Sequence, residues 1–248
     1  MDTHTVREDR DCAPEPEGRQ VRSRSFAVPG LLRDVVLLGG VCALVLALVN
    51  AFVAQPFVIP SGSMEGTLRV GDRVVVDRLA YRFSTPRRGD VIVFDGRGSF
   101  VDDGAPQPPD AAGYDFVKRV IGVGGDTVTC CGAQGRLSVD GVQLDESGYL
   151  FPGDAPSAIP FSIQVPPGKL FVLGDHRSDS RDSRDHLGDP GGGFVPVDKV
   201  TGRVDWIVYP IGHWRSLDRP HAFAVLDAQL AARSAAQLGK GAGHGHAG

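Results

Sequence analysis

Lysine is scarce in this chain. Of 26 basic residues only Lys118, Lys169, Lys199 and Lys240 are Lys; the other 22 are Arg. Arg stays protonated, whereas a buried Lys can give up its proton, so each Lys here is a candidate for chemistry. Cysteine is equally scarce, and Cys12, Cys42, Cys130 and Cys131 do not fall into a metal-ligand spacing. Adjacent Cys130 and Cys131 admit a vicinal disulfide or two separate thiols, and the thiols are favoured. A basic surplus is missing: the formal net charge is −4, so nothing argues for a nucleic-acid partner. No H-E-x-x-H helix is present, which removes the common zinc-protease design. No G-x-S-x-G elbow surrounds Ser63, because position 61 is Ser and not Gly.

What is present begins with Gly and Pro, 33 and 18 residues. That composition suits many turns and short strands rather than a helical bundle. Residues 1–30 are rich in Arg, Asp, Glu and Pro with little apolar periodicity, so a disordered tail is expected over 1–34. Residues 35–54, VVLLGGVCALVLALVNAFVA, carry no charge. As a helix they span about 30 Å, the thickness of a bilayer core. A cleaved signal peptide would have a shorter apolar stretch, and a buried soluble helix of this kind is uncommon. A spanning helix over 35–55 is therefore expected. Arg19, Arg22, Arg24 and Arg33 precede it and no basic residue follows until Arg69. The positive-inside rule then places the N-terminus in the cytoplasm and the following domain outside.

From residue 57 to about 210 the pattern is β-like. DRVVVDRL, DVIVF, DTVTC, RLSVDGVQL, FSIQV, KLFVLGD and VTGRVDWIVYP are short Val- and Ile-rich runs. RRGD, GGD, VDG and PPG turns divide them. A mainly β domain of coiled antiparallel sheets is expected over 56–220, with a Gly/Pro/Asp loop at 95–115. Residues 221–248 form a C-terminal tail, with a short Ala-rich helix over 221–239 and a disordered end. His244 and His246 in that end make a weak metal site at best, and a solvated tail is favoured.

Three segments can carry chemistry. PFVIPSGSMEGTL (56–68) begins just after the apolar run, and Gly62 between two serines lets the backbone approach a ligand. YDFVKRVIGVGGD (114–126) places Lys118 and Arg119 side by side in an apolar strand, so the two cations point to opposite faces. One of them is then buried, or both reach solvent from an edge strand. Burial would lower the Lys pKa and free its amine as a base. LGDHRSDSRDSRDHLGD (173–189) is dense in Asp, Arg and Ser but lacks a calcium loop's regular carboxylates. Asp–Arg pairs that rigidify a loop suit it better.

Taken together, and in order, these boxes resemble the type I signal peptidase family: an apolar span, PSGSM, GDRVVVDRLAYR, RRGDVIVF, a KR strand ending in GD, then GD-R-S-DSR. The match covers roughly residues 35–215. The resemblance implies a β-rich fold shared with LexA-like proteins and a membrane-bound serine endopeptidase using no metal and no cofactor. It implies Ser63 as nucleophile and Lys118 as general base, with an oxyanion hole of the Ser61 hydroxyl and the Ser63 N–H. Ser180 would orient the Lys118 amine, Asp175 would pair with Arg119, and Asp182 with Arg184. Phe57, Ile59, Pro60, Phe116 and Val117 would line a shallow apolar substrate groove. The implied partners are secretory preproteins, cut after a small-x-small site, and the lipid bilayer; the implied location is the cell membrane. Where the family often has GDNRDNS this chain has GDHRSDS, with His176 and Ser178 as departures. A self-cleaving LexA-like regulator would need a DNA-binding domain that residues 1–30 are too short to supply. An inactive tethered binding protein would have no use for Ser63, Lys118 and Ser180 together.

Overall fold

The computed structural model describes residues 30–52, 54–102, 104 and 113–242. The expected tail and its arginines before Gly30, residues 103 and 105–112 of the expected 95–115 loop, Cys12, His244 and His246 lie outside the described residues. The chain divides into two compact units, at Leu44 and Val45. The first carries most of helix α1, Gly30–Phe52. Its Gly30–Ala47 window has mean hydropathy 2.0 and buries none of its surface, so it is long and apolar enough to cross a membrane. The helix starts ahead of the uncharged run because Arg33 and Asp34 join it at the polar end. Chain in strand conformation resumes at Ala54.

The second unit is mainly β, as the strand pattern led us to expect. Its larger sheet contains β1 (Ala54–Val58), β2 (Arg73–Asp77), β3 (Val91–Asp95), β4 (Asp115–Val123), β9 (Lys169–Leu173), β10 (Val195–Pro196), β11 (Val200–Tyr209) and β12 (Arg215–Ser216). The order is β1-β2-β11-β3-β4-β9-β10, with β12 beside β11, and every pairing is antiparallel. The smaller sheet runs β7-β6-β5-β8, from β5 (Thr127–Cys130), β6 (Ser138–Val139), β7 (Val142–Gln143) and β8 (Phe161–Gln164). The Val-rich runs became β2, β3, β5 to β9 and β11. The sequence reading missed β1, β10 and β12. Pro56 in β1 is tolerated because β1 is an edge strand, where a missing N–H breaks no ladder on the open side.

Both faces of the central strands are covered. On β3, Val91 and Val93 join a cluster with Met64, Leu68, Val74 and Ile207. Ile92 and Phe94 on the opposite face pack with Phe100, Val120 and Leu170. Phe100 therefore roots the start of the 95–115 loop: its ring lies 5.2 Å from Phe94 and 4.5 Å from His186. A third cluster joins the two sheets through Ile121, Val128, Phe171 and Leu173. At the end of β5, Cys130 and Cys131 form a vicinal disulfide (S–S 2.04 Å), not the two free thiols expected. Cys130 is buried and Cys131 exposed.

The C-terminal helix α2 (His221–Ala242) is longer than the expected 221–239. Its first turns belong to the domain core. Phe223 and Leu226 are fully buried in the inter-sheet cluster. Arg88 bridges Asp126 at the head of β5 (Nε–Oδ2 2.7 Å) to Asp227 on α2 (2.9 Å). The Phe223 ring presses on Gly89, whose φ of +90° only glycine adopts comfortably. Phe223→Ala should lower unfolding free energy by about 3–5 kcal/mol, read from urea midpoints. A loss well below 1 kcal/mol would mean that α2 is not part of the core.

Candidate active site

The Ser63 turn is held from both ends. Ile59 N–H donates to the Asp72 carbonyl and the Ile59 carbonyl accepts from Gly71 N–H, each at 2.9 Å. That pairing closes residues 59–72 into a loop at the end of β1 and β2. Gly62–Met64 form one 3-10 turn. Met64 and Leu68 drop into the core and are essentially inaccessible, which fixes Ser63 between them and the surface. The Ser63 carbonyl accepts the His176 N–H at 3.2 Å, so the charged 174–184 loop is clamped onto the backbone of Ser63.

β4 brings the amine. Lys118 pairs opposite Ile92 in the middle of the sheet and is 4% exposed. Its Nζ lies 2.7 Å from Ser63 Oγ, and Ser61 Oγ lies 3.3 Å from Ser63 Oγ. Desolvation pushes the Lys118 pKa down from 10.5 to about 8; Asp182, Asp175 and Asp179 oppose that fall and Arg184 assists it. Burying an ammonium is unfavourable, so about a tenth of this amine is neutral at pH 7 and about half at pH 8. A hydroxyl and a neutral amine in hydrogen-bond contact form a unit able to attack a carbonyl.

The sequence left open whether one of the neighbouring cations is buried or neither. The structure buries both, with Arg119 only 2% exposed. Arg119 is held by a full set of partners. Its Nε and Nη2 bind Asp175 at 2.8 and 2.6 Å. Nη1 donates to the Gly89 carbonyl at 2.8 Å and Nη2 to Thr67 Oγ1 at 3.1 Å. The guanidinium lies 4.5 Å over the Tyr149 ring. Burial works against its charge, but Asp175 more than offsets this and its pKa is raised. A bidentate pair of this kind is strong and directional; here it ties β4 to the 174–184 loop.

That loop is internally braced. Asp182 accepts from Arg184 Nε and Nη2, both at 2.8 Å, from Gly174 N–H at 3.0 Å and from Ser180 Oγ at 2.8 Å. The hydrogen bond expected from Ser180 to Lys118 is not formed. The Ser180 hydroxyl turns to Asp182 because a carboxylate is a stronger acceptor than an amine already engaged with Ser63. Ile59, Pro60, Phe116 and Val117 line a cleft of about 150 Å³ beside Ser61, Ser63 and Lys118. Phe57 does not line it; its ring is half-buried against the core cluster under β1 and β2.

Several contributors escaped the sequence reading. Gly174 touches the Ser63 carbonyl and Ser180 Oγ so closely that a Cβ would collide with both. Its place in the GD box was the available signal. Arg177 and Glu146 form a buried pair at 2.5 Å, and Tyr149 donates to the same Glu146 oxygen at 2.8 Å; distant polar partners of this kind leave no local pattern. Asp179 sets its carboxylate 2.8 Å from the position a Gly62 Cβ would take. It lies close enough to act on the Lys118 charge.

Comparison with known proteins fits this geometry. A family described as "Signal peptidase, peptidase S26" matches residues 32–209. The chain belongs to the signal peptidase family. Signal peptidase I of Mycobacterium tuberculosis is 39% identical over 222 residues, covering 74% of each chain. Signal peptidase I of Leptolyngbya laminosa is 34% identical over 84% of this chain and 94% of its own. Signal peptidase IB of Staphylococcus aureus is 30% identical over 71% and 88%. A crystal structure of a signal peptidase I from Enterococcus faecalis aligns with 49% of this chain and 97% of its own, at 28% identity and a TM-score of 0.33. As a signal peptidase family member the chain is a serine endopeptidase, and α1 makes it a membrane-anchored one.

The desolvation of Lys118 has a stability consequence. Between about pH 8 and 10.5 the unfolded chain holds this proton more tightly than the folded one. The penalty is therefore complete below pH 8 and fades as pH rises toward 10.5. Lys118→Met should raise stability at pH 7 by about 3 kcal/mol, with the gain shrinking above pH 9 in urea titrations. An equal gain at pH 7 and pH 10 would show that the amine is not desolvated.

Proposed function

We propose that this signal peptidase family member removes signal peptides from exported preproteins, with Ser63 as nucleophile and Lys118 as general base. The carrying observation is the 2.7 Å contact between the Ser63 hydroxyl and a buried Lys118 amine. Neutral Lys118 takes the Ser63 proton as Oγ bonds to the scissile carbonyl carbon. The oxygen gains negative charge and receives hydrogen bonds from the Ser61 hydroxyl and the Ser63 N–H. Such donors are worth about 3–4 kcal/mol of barrier each. Collapse breaks the C–N bond, and the Lys118 ammonium returns its proton to the departing amine. Lys118 next takes a proton from water, whose oxygen attacks the acyl carbon and frees Ser63. Each proton that Lys118 takes it gives back, so the cycle closes without another titrating group.

The remaining roles follow from position. Arg119–Asp175 and Asp182–Arg184 hold the two walls that carry Lys118 and Ser180. Ser180 acts on the amine through Asp182 in this arrangement. The cleft beside Ser63 is about 150 Å³, room for a side chain next to the scissile bond, and cleavage after a small-x-small site is what membership of the family implies. The arginines ahead of α1 support a cytoplasmic N-terminus and an extracytoplasmic catalytic domain in a single-pass protein of the cell membrane. The partners are then preproteins and lipid; a net charge of −4 does not argue for nucleic acid.

Two measurements test this. The full chain in detergent or proteoliposomes should cleave a preprotein after its small-x-small site. Ser63→Ala and Lys118→Arg should reduce kcat/KM at least about 10³-fold, because Arg supplies no base. Appreciable cleavage by Lys118→Arg would remove Lys118 from the mechanism. In the wild type, kcat/KM should rise with pH to a plateau, with its midpoint near the Lys118 value of about 8. Asp179→Asn should shift that midpoint to lower pH, since it removes a carboxylate favouring the ammonium. A midpoint that does not move would leave Asp179 without influence on the base.

A further inference from the structure

The Ser63 turn borders a second, larger cleft. The chain leaving Ser63 forms one wall of it, from Glu65 to Val70, and residues 147–152 form the other; His213 and Arg215 close one side. Its volume is about 780 Å³, several times that of the cleft beside Lys118. Leu150 and Phe151 are half-buried in its wall, and Val70 is exposed.

The charges around it are uneven. The Glu65 carboxylate faces His176 Nδ1 at 3.7 Å, and His213 Nδ1 is committed to Asp72 at 2.9 Å. Arg215 gives Nη2 to the Thr67 carbonyl at 2.7 Å, and Arg69 is exposed. Neither guanidinium has a carboxylate in ion-pair range among the described residues. The cleft thus presents two cations without a carboxylate partner and one carboxylate, Glu65, at its edge 3.7 Å from His176 Nδ1.

A polypeptide lying across Ser63 must leave the turn on both sides. The cleft lined by Ile59, Pro60, Phe116 and Val117 receives the segment ahead of the scissile bond. The segment on the other side of the scissile bond needs a channel of its own. We propose that the 780 Å³ cleft holds the mature segment of the substrate, and that Arg69 and Arg215 make the enzyme favour a carboxylate there. This inference rests on the peptidase reading above. Exposed ion pairs are weak, so the preference should be about two- to five-fold per charge in kcat/KM and should fade at high salt.

The test uses preproteins with one fixed signal segment and cleavage site. Asp, Ser or Lys is placed in turn at each of the first several mature positions. The wild-type chain should cleave the Asp series faster than the Lys series at one or more positions. Arg69→Glu, at an exposed site, should melt as the wild type does and should reverse the order. Arg215→Gln should weaken it. Equal rates for Asp and Lys in the wild type, or an order unchanged in Arg69→Glu, would overturn the proposal while leaving the peptidase reading intact. Failure to cleave any of the series, with Ser63 unreactive to an acylating inhibitor, would overturn both.

Discussion

The unfavourable burial of the Lys118 amine against Ser63 is the constraint around which this domain is organised. A charged ammonium at 4% exposure is poorly solvated, and that lowers its pKa toward neutrality. The same burial would be self-defeating if the amine could swing to water. It cannot, because β4 is an interior strand between β3 and β9 with apolar clusters on its faces. The stability given up at one residue is thereby kept as a reactive protonation state.

The neighbouring cation shows the opposite solution. Arg119 occupies the next position on the same strand and is just as buried, yet it keeps its charge. It faces Asp175 through two hydrogen bonds, with Thr67, the Gly89 carbonyl and the Tyr149 ring filling the remaining directions. Two adjacent basic residues thus differ in function through their partners, not their depth. Arg119 also serves as the fastener between β4 and the 174–184 loop. Through Gly89 it reaches the contact with Phe223, so the docking of α2 and the placement of β4 share one residue.

The 174–184 loop brings the third element. His176 N–H binds the Ser63 carbonyl while Asp182 gathers donors from Gly174, Ser180 and Arg184. The contact surface between that loop and the serine turn leaves no space for a Cβ at Gly174. The precision of the Ser63–Lys118 contact is thus set by three segments far apart in sequence. The three are tied to one another by Arg119–Asp175, Arg119–Thr67 and the His176 N–H to Ser63 carbonyl bond, the kind of support a preorganised site requires.

The chain's local patterns were legible. An uncharged apolar run has one stable outcome at that length, and Val-rich runs between Gly and Pro turns could only be strands. Scarcity picked out Lys118, and the ordered boxes picked out Ser63, since neither feature depends on distant partners. What tertiary structure alone decided were choices among many similar groups. Nothing local says which of the Asp residues at 175, 179, 182 and 185 meets Arg119, that Ser180 turns to Asp182, or that Phe57 leaves the groove for the core. Nor could the pairing of Arg177 with Glu146, the closure of Cys130 onto Cys131, or the use of α2 as core be read from spacing. Periodicity encodes burial along one element, whereas ion pairs and close backbone approaches are fixed only once separate elements meet.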